Sequence, residues 1–335
     1  MPEISVIVLN WNGKHFLEDC LSSLRRQTFR NFETILVDNG STDGSVEYVR
    51  ESFPEVIVEA LPENLGFELG NLAGYNRASG ELIVLLNNDT EVHPGFVEEL
   101  HLASRRFPRA GSFATKMLYF EDRQRIDICG AGITKAGSTV AFGRDKLDGP
   151  EWSEAREVFA ACAGAAGYRR KMIEDVGFLD GDFFMAYNDL DLSFRAQLRG
   201  YPCVFVPNAI VFHHYHATVK HNPSRHDFYS QRNIEYVYLK CMPFDLILRY
   251  LPLRLLYEFG AAAYFFRQGT GWAFVKAKFA VLRHLPMLLR KRKEIQRRRT
   301  LTSRQLLTLM ENSWVAEKWN KLQSAWRRTS AVSTT

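Results

Sequence analysis

The chain has 335 residues, 46% of them hydrophobic and 24% charged, with 43 Lys and Arg against 38 Asp and Glu. That length asks for one large domain with appendages or for two domains, and the balanced composition excludes global disorder, collagen-like repetition and a polytopic membrane protein. A net charge of only +5 makes no case for nucleic acid as a partner, so the distribution of charge matters more than its sum.

Met1-Pro2-Glu3 leads straight into an apolar run without a basic leader, so no signal peptide is expected. The five cysteines, Cys20, Cys129, Cys162, Cys203 and Cys241, are odd in number and lack metal-caging spacing, which suits a reducing, cytoplasmic compartment. Ile4 to Leu9 reads as a strand and Phe16 to Gln27 as an amphipathic helix. Thr34 to Val37 with Gly44 to Ser52, and Leu82 to Leu86 with Pro94 to Arg106, repeat that rhythm. Strands so nearly continuous in apolar residues fit a parallel sheet with helices on both faces, and the fold class is therefore α/β. Ligands of such sheets bind beyond the carboxyl ends of the strands, which directs attention to the polar residues placed there.

After the first strand comes Asn10-Trp11-Asn12-Gly13, and after the second VDNGSTDG, Val37 to Gly44. Asp38 can accept hydrogen bonds from a nucleobase N–H or a ribose hydroxyl, while Ser41, Thr42 and Asp43 also suit a turn that caps the next helix, with Asp43 as N-cap. The segment Asn64 to Glu81 contains Gly66, Gly70, Gly74 and Gly80 but neither GxGxxG nor GxxxxGK, which counts against hydride transfer and against a P-loop. At Leu85-Leu86-Asn87-Asn88-Asp89-Thr90 an apolar strand ends on polar side chains. Asp89 can hold a divalent cation there together with phosphate oxygens and water, or the loop can be an ordinary turn ahead of a helix begun by Pro94.

From Ser112 to about Tyr215 shorter strands and glycine loops suggest a mixed extension of the same sheet. Within Phe183 to Tyr201, Asp191 and Arg195 are one helical turn apart and suit an ion pair, which leaves Asp189 at the helix start as a candidate general base or an N-cap. His213, His214 and His216 cluster at a strand end. Alternation puts His213 and Tyr215 on one face and His214 and His216 on the other, so at most two share a site. From Pro243 onward the chain is rich in Leu, aromatic and basic residues, and Pro252 and Pro286 are expected to divide it into separate helices. No uncharged stretch there reaches the ~18 residues of a spanning helix. Arg283 to Arg299 is strongly basic, and Val315, Trp319, Leu322 and Trp326 follow helical spacing, as in a helix lying on an anionic membrane surface; the alternative is that these apolar faces pack on the catalytic domain. The expected division is 1–243, 244–328 and a small-residue, disordered tail at 329–335.

Taken in order, seven segments resemble the inverting family-two glycosyltransferases of the GT-A fold, in particular a rhamnosyltransferase-like bacterial branch. They are ISVIVLNWNGKHFLEDCLSSLRRQTF, VDNGSTDGS, NLGF with a following Gly-Asn, LLNNDTEVHPGF, Cys162-Ala163-Gly164 ahead of Arg169-Arg170, FFMAYNDLDLSFR, and Arg232-Asn233 with Lys240 and Pro243, spanning Ile4 to Pro243. The resemblance implies a mixed, mainly parallel sheet and transfer of a sugar from a nucleoside diphosphate sugar, with dTDP-L-rhamnose the best match. The acceptor it implies is a saccharide or lipid-linked glycan in cell-surface polysaccharide assembly, at the inner face of the plasma membrane. It further implies Asp189 as base, a divalent metal (Mg2+ or Mn2+) at Asp89 with His213, and nucleotide-sugar contacts from Asn12, Asp38, Asn39, Asn64, Gly66, Asn71, Asn87, Asn88, Gly164 and Arg195. Two departures each remove a negative charge: Asn87 stands for the first Asp of the family's DxD, and Asn188 for the Glu before the catalytic Asp. A nucleotide-sugar-binding protein with a decayed site and a membrane-surface scaffold are the competing expectations.

Overall fold

The computed structural model describes residues 1–214 and 223–312. Its first part runs β1 (Ile4–Asn10), α1 (Lys14–Arg25), β2 (Phe32–Asp38), α2 (Ser45–Ser52), β3 (Ile57–Ala60), α3 (Gly66–Arg77), β4 (Leu82–Asn87), β5 (Thr90–Val92) and α4 (Phe96–Arg106). There follow β6 (Ser112–Tyr119), β7 (Ile126–Ile128), β8 (Ala131–Ile133), β9 (Thr139–Ala141), β10 (Arg156–Val158), β11 (Ala165–Arg169), α5 (Arg170–Val176), α6 (Asn188–Leu198) and β12 (Cys203–His213). Five helices close the described chain: α7 (Pro223–Cys241), α8 (Phe244–Arg267), α9 (Gly271–Arg283), α10 (Leu285–Arg298) and α11 (Ser303–Leu309).

Strands β3, β2, β1 and β4 form a parallel half-sheet, β11 joins it antiparallel to both β4 and β6, and β6 pairs in parallel with β12. The mixed α/β architecture is the one the strand pattern implied. Alternation sends Ile4, Val6 and Val8 of β1 into one buried cluster and Ile7, with Ile35 and Val37 of β2, into another, so both faces are covered. Each parallel strand therefore points its carboxyl end at the same edge, where Asn10, Asp38 and Asn87 terminate β1, β2 and β4.

One element stands where the sequence pattern offered no reading, and one differs from expectation. The glycine-rich stretch after Asn64 is a helix, α3, whose glycines at every fourth position bring its backbone against the sheet: a Cβ at Gly74 would stand 2.5 Å from Cγ2 of Ile7. Glycine weakens an isolated helix but permits this approach. Pro252 does not divide the C-terminal region; it lies inside the continuous helix α8, at an exposed position, whereas Pro286 sits in the first turn of α10.

The C-terminal helices share a core with the sheet domain. Phe183, Leu190 and Phe194, around α6, pack with Ile234 and Tyr236 of α7, Val281 of α9, Leu288 of α10 and Leu306 of α11. The expected boundary at 243 thus crosses a continuous hydrophobic cluster. The stripe from Val315 to Trp326, the tail at 329–335, and Tyr215 and His216 lie outside the described residues.

Candidate active site

At the carboxyl edge of β1 and β2 a chain of side chains is tied together. Asn10 Nδ2 donates to Asp38 Oδ2 (2.9 Å), Asn88 Nδ2 donates to Asn10 Oδ1 (2.7 Å), and Asp38 Oδ1 accepts from the Ser41 amide (2.9 Å). The Ser41 hydroxyl accepts from the Asn12 amide (2.8 Å), and Asn12 Oδ1 accepts from the Thr42 amide (2.8 Å), with Asn12 itself in the left-handed region at φ 49°. Asn39 extends the set: its Nδ2 donates to Asn64 Oδ1 (3.1 Å) and to the Gly66 carbonyl (3.0 Å). Asn12, Asp38, Asn39, Asn64, Gly66 and Asn88 are thereby gathered at one sheet edge, as acceptors and donors that a nucleoside can meet. Asp43 is not the N-cap of α2, which is Gly44; it lies one residue earlier and accepts from the Lys14 amide (2.9 Å) at the start of α1 and from the Ser45 amide (3.1 Å) at the start of α2.

Beyond β4, the Asn87 amide donates to the Gly164 carbonyl (2.8 Å), and the neighbouring Ala163 amide donates to Asp189 Oδ2 (3.1 Å). Two residues therefore link the strand end to the carboxylate at the start of α6. Asp189 is half-buried, its Oδ1 also accepts from the Leu190 amide (2.7 Å), and no ion pair holds it among the described residues. Burial pushes its pKa above the usual carboxylate value, and the two amides only partly offset this. Such a carboxylate is a better proton acceptor than an exposed one.

Asp89 is buried beside His213: Oδ1 lies 3.4 Å from Nε2 and has no hydrogen-bond partner. His213 Nδ1 is 2.8 Å from Asp127 Oδ2, and Arg144 approaches the other oxygen of Asp127 at 3.0 Å. Burial opposes charge on the imidazole, but the hydrogen bond to Asp127 and the charges of Asp127 and Asp89 outweigh it and raise its pKa to about 9. No cluster of three His, Cys, Asp or Glu suited to a metal occurs among the described residues. Two protein ligands, one of them an orphaned buried carboxylate oxygen, still fit a divalent cation whose remaining positions go to phosphate and water. Asp127 on Nδ1 fixes the ring so that Nε2 faces Asp89.

The structure corrects two expected contacts. Arg195 is buried and turned to structure: it pairs with Asp191 (2.8 Å) and donates to the carbonyls of Val176, Gly177 and Phe178, so four of its donors are engaged and three of them pin the loop before α6. Asn71 is buried in α3 and donates to the Phe67 carbonyl of its own helix (2.8 Å). His214 stacks on Phe120 with ring centroids 3.7 Å apart and burial lowers its pKa, so of His213 and His214 it is His213 that faces the acids. Sequence reasoning missed Asp127, which sits on a three-residue strand with no local motif and meets His213 only because β7 and β12 both pair with β6.

The family model described as "Glycosyl transferase family 2" matches residues 5–177. An N-acetylglucosaminyl-diphospho-decaprenol L-rhamnosyltransferase of Mycobacterium tuberculosis is 28% identical over 251 residues, covering 67% of this chain and 80% of the relative. Among solved structures, GalNAc-T7 with UDP, GalNAc and Mn2+ superposes with a TM-score of 0.57 at 16% identity, over 72% of this chain and 48% of that one. A mannosyltransferase of Pyrobaculum calidifontis in complex with GDP-Man and Mn2+ gives 0.50 at 16% identity, over 92% of this chain and 84% of that one. At these identities the two structural likenesses speak for the GT-A fold.

Proposed function

The chain belongs to glycosyl transferase family 2 and is a glycosyltransferase, and from that premise we propose that it transfers L-rhamnose, with inversion, from dTDP-L-rhamnose to a hydroxyl of a lipid-linked saccharide in cell-surface polysaccharide assembly. The observation that carries the inverting mechanism is the Asp189 carboxylate, raised in pKa by burial, free of a salt bridge among the described residues and tied through Ala163 and Gly164 to the end of β4. Asp189 takes the proton of the acceptor hydroxyl as its oxygen bonds the anomeric carbon. The sugar's C–O bond to the diphosphate breaks on the opposite face, its electron pair leaving with the nucleoside diphosphate. One carboxylate and an in-line geometry give inversion without a covalent intermediate.

Asp38, Asn12 and the asparagines around them would hold the nucleoside, and Asn87, Asn88 and Gly164 the donor beyond it. Asp89 and His213 would hold the divalent ion, with Asp127 fixing the imidazole; when bound, such an ion neutralises charge on the departing diphosphate. The rhamnosyl donor and the lipid-linked acceptor rest on the mycobacterial relative, whose name states both an L-rhamnosyl group and a decaprenol carrier. With a lipid-linked acceptor the enzyme would work at the inner membrane face, a reading that the exposed apolar stripe of α8 supports. No helix among the described residues is long and apolar enough to cross a membrane.

The test is incubation of the full chain with dTDP-L-rhamnose, UDP-sugars and GDP-sugars, each with a polyprenyl diphosphate-linked N-acetylglucosamine and Mg2+ or Mn2+. Release of dTDP with a rhamnosylated product is expected. Turnover confined to UDP- or GDP-sugars would overturn the donor assignment, and retention of anomeric configuration would overturn the mechanism.

A further inference from the structure

The segment just before the candidate base has an uncommon backbone. Phe184, Ala186 and Tyr187 all lie in the left-handed region, at φ 66°, 65° and 63°. Residues with side chains disfavour that region, and three within four positions persist only where the surroundings hold them. Tyr187 is the N-cap of α6, so the way this turn ends decides where Asp189 points.

Two helices hold the turn. On α7, Asn233 is fully buried and its Nδ2 donates into a ring of three carbonyls, those of Phe183 (3.1 Å), Met185 (2.6 Å) and Ala186 (3.0 Å). Its orientation is set by Arg232, whose Nε donates to Asn233 Oδ1 (2.9 Å) while Nη2 donates to the carbonyls of Asp182 (2.7 Å) and Phe183 (2.8 Å). On α3, the Phe67 amide donates to the Phe184 carbonyl (2.9 Å), and Glu68 Oε1 accepts from Asn188 Nδ2 (2.8 Å), one residue before Asp189. A Cβ at Gly66 would come within 2.8 Å of that same Phe184 carbonyl, so the glycine lets α3 close on the turn. Glu68 is almost completely buried and its Oε2 has no hydrogen-bond partner, a costly placement for a side chain with no task beyond filling space.

We propose that Asn233 and Glu68 are positioning residues for the transfer reaction, holding the left-handed turn and Asn188 from two different helices so that the Asp189 carboxylate stands where the acceptor hydroxyl arrives. The inference rests on Asp189 as base and adds two residues, on α7 and α3, that act through it without meeting the substrate.

The experiment uses the full chain with dTDP-L-rhamnose and the lipid-linked acceptor, and compares Asn233→Ala, Glu68→Ala and Glu68→Gln alone and in an Asp189→Asn background, with dTDP affinity measured by calorimetry. A base displaced by about 1 Å costs on the order of 100-fold in rate. Asn233→Ala and Glu68→Ala are therefore expected to lower kcat by about 10- to 100-fold with dTDP affinity unchanged, and Glu68→Gln, which keeps an acceptor oxygen for Asn188, to recover most of the loss. In the Asp189→Asn background the same changes should cost almost nothing, because the group they aim is gone. Losses that multiply with Asp189→Asn, or a kcat unchanged in folded variants, overturn the proposal. If Asn233→Ala does not fold, the two Glu68 variants decide. Parental turnover by Asp189→Asn would instead fail the base assignment itself, whereas a slow Asp189→Asn beside unimpaired Asn233→Ala and Glu68→Ala fails this inference alone.

Discussion

At the scale of the residue, what matters is which carboxylates are paired and which are left unpaired. Asp191 is neutralised by Arg195 and Lys240 inside the protein, and Asp180 by Lys240 and Lys291. Asp189 has backbone amides but no ion pair among the described residues. Asp189→Asn keeps the size and loses the basicity, so transfer should slow by ~10²–10⁴-fold while nucleotide affinity holds. Because burial lifts the Asp189 pKa, the active, ionised form disappears as pH falls through a value above the ordinary carboxylate range. A rate profile measured downward from neutrality should show that acid limb, and an acid limb at or below the ordinary carboxylate value would contradict it. A second expectation concerns Asp127, which orients His213. Asp127→Asn should weaken Mn2+-dependent binding of dTDP by about 10- to 100-fold, measured by calorimetry with and without the metal, and equal loss in both would reject the orienting role. The Asn87 to Asp89 loop could be singled out because it closes a regular strand, and Asp189 because it opens a helix, each in a recognisable string. Asp127 was not, since its contact with His213 spans 86 residues and depends on strand pairing. Arg195 was legible as an ion pair with Asp191 and misjudged as a ligand, because nothing local announces the three carbonyls to which it also donates.

At the scale of the element, glycine is where sequence patterns were hardest to interpret. Strands β1, β2 and β4 could be located from apolar continuity alone, but α3 hid behind Gly66, Gly70 and Gly74, which lower helix propensity while making room for β1 and for the turn before α6. Pro252 misled in the opposite direction, suggesting a break where the helix continues. Two alanine substitutions separate the cases. At Gly74 a Cβ would lie 2.5 Å from Ile7 Cγ2 and 2.9 Å from Val37 Cγ2, both in the packed face of the sheet, so Gly74→Ala should destabilise by about 1–3 kcal/mol. At Gly260, inside α8, nothing lies within 4 Å, and alanine should stabilise by about 0.5–1 kcal/mol through the helix itself. Denaturant melts of the two variants should move in opposite directions; a stabilising Gly74→Ala would mean that α3 does not sit against the sheet as described.

At the scale of the whole molecule, the C-terminal helices face two ways. Their inner side joins the core of α6 and α7, and an ion cluster of Glu235, Arg254, Glu258 and Lys278 locks α7, α8 and α9 together. Their outer side leaves Phe244, Leu248, Leu251, Leu255 and Phe259 exposed along α8 and Trp272 and Phe279 exposed on α9. Interspersed with these are the exposed cations Arg249, Arg267, Lys276, Arg283, Arg290 and Lys293, while from Phe244 to Lys293 the sequence has two acids, Asp245, which accepts from Ser303, and Glu258, which is paired with Arg254. Like charges spread through an apolar stripe oppose its use between two copies of the chain and match it to an anionic lipid surface. Each cation near such a surface adds ~1 kcal/mol and is screened over a Debye length of about 8 Å at physiological salt. The shared core means that cutting the chain before Phe244 would expose buried residues of α6 and α7, so the surface has to be tested in the intact protein. Full-length protein should sediment with liposomes containing anionic lipid, release as ionic strength rises, and lose the interaction in a Phe259→Ser, Trp272→Ser variant that still binds dTDP. Binding indifferent to lipid charge, or undiminished in that variant, would reject the membrane assignment, and a concentration-dependent dimer abolished by the same two substitutions would give this face to a second copy instead.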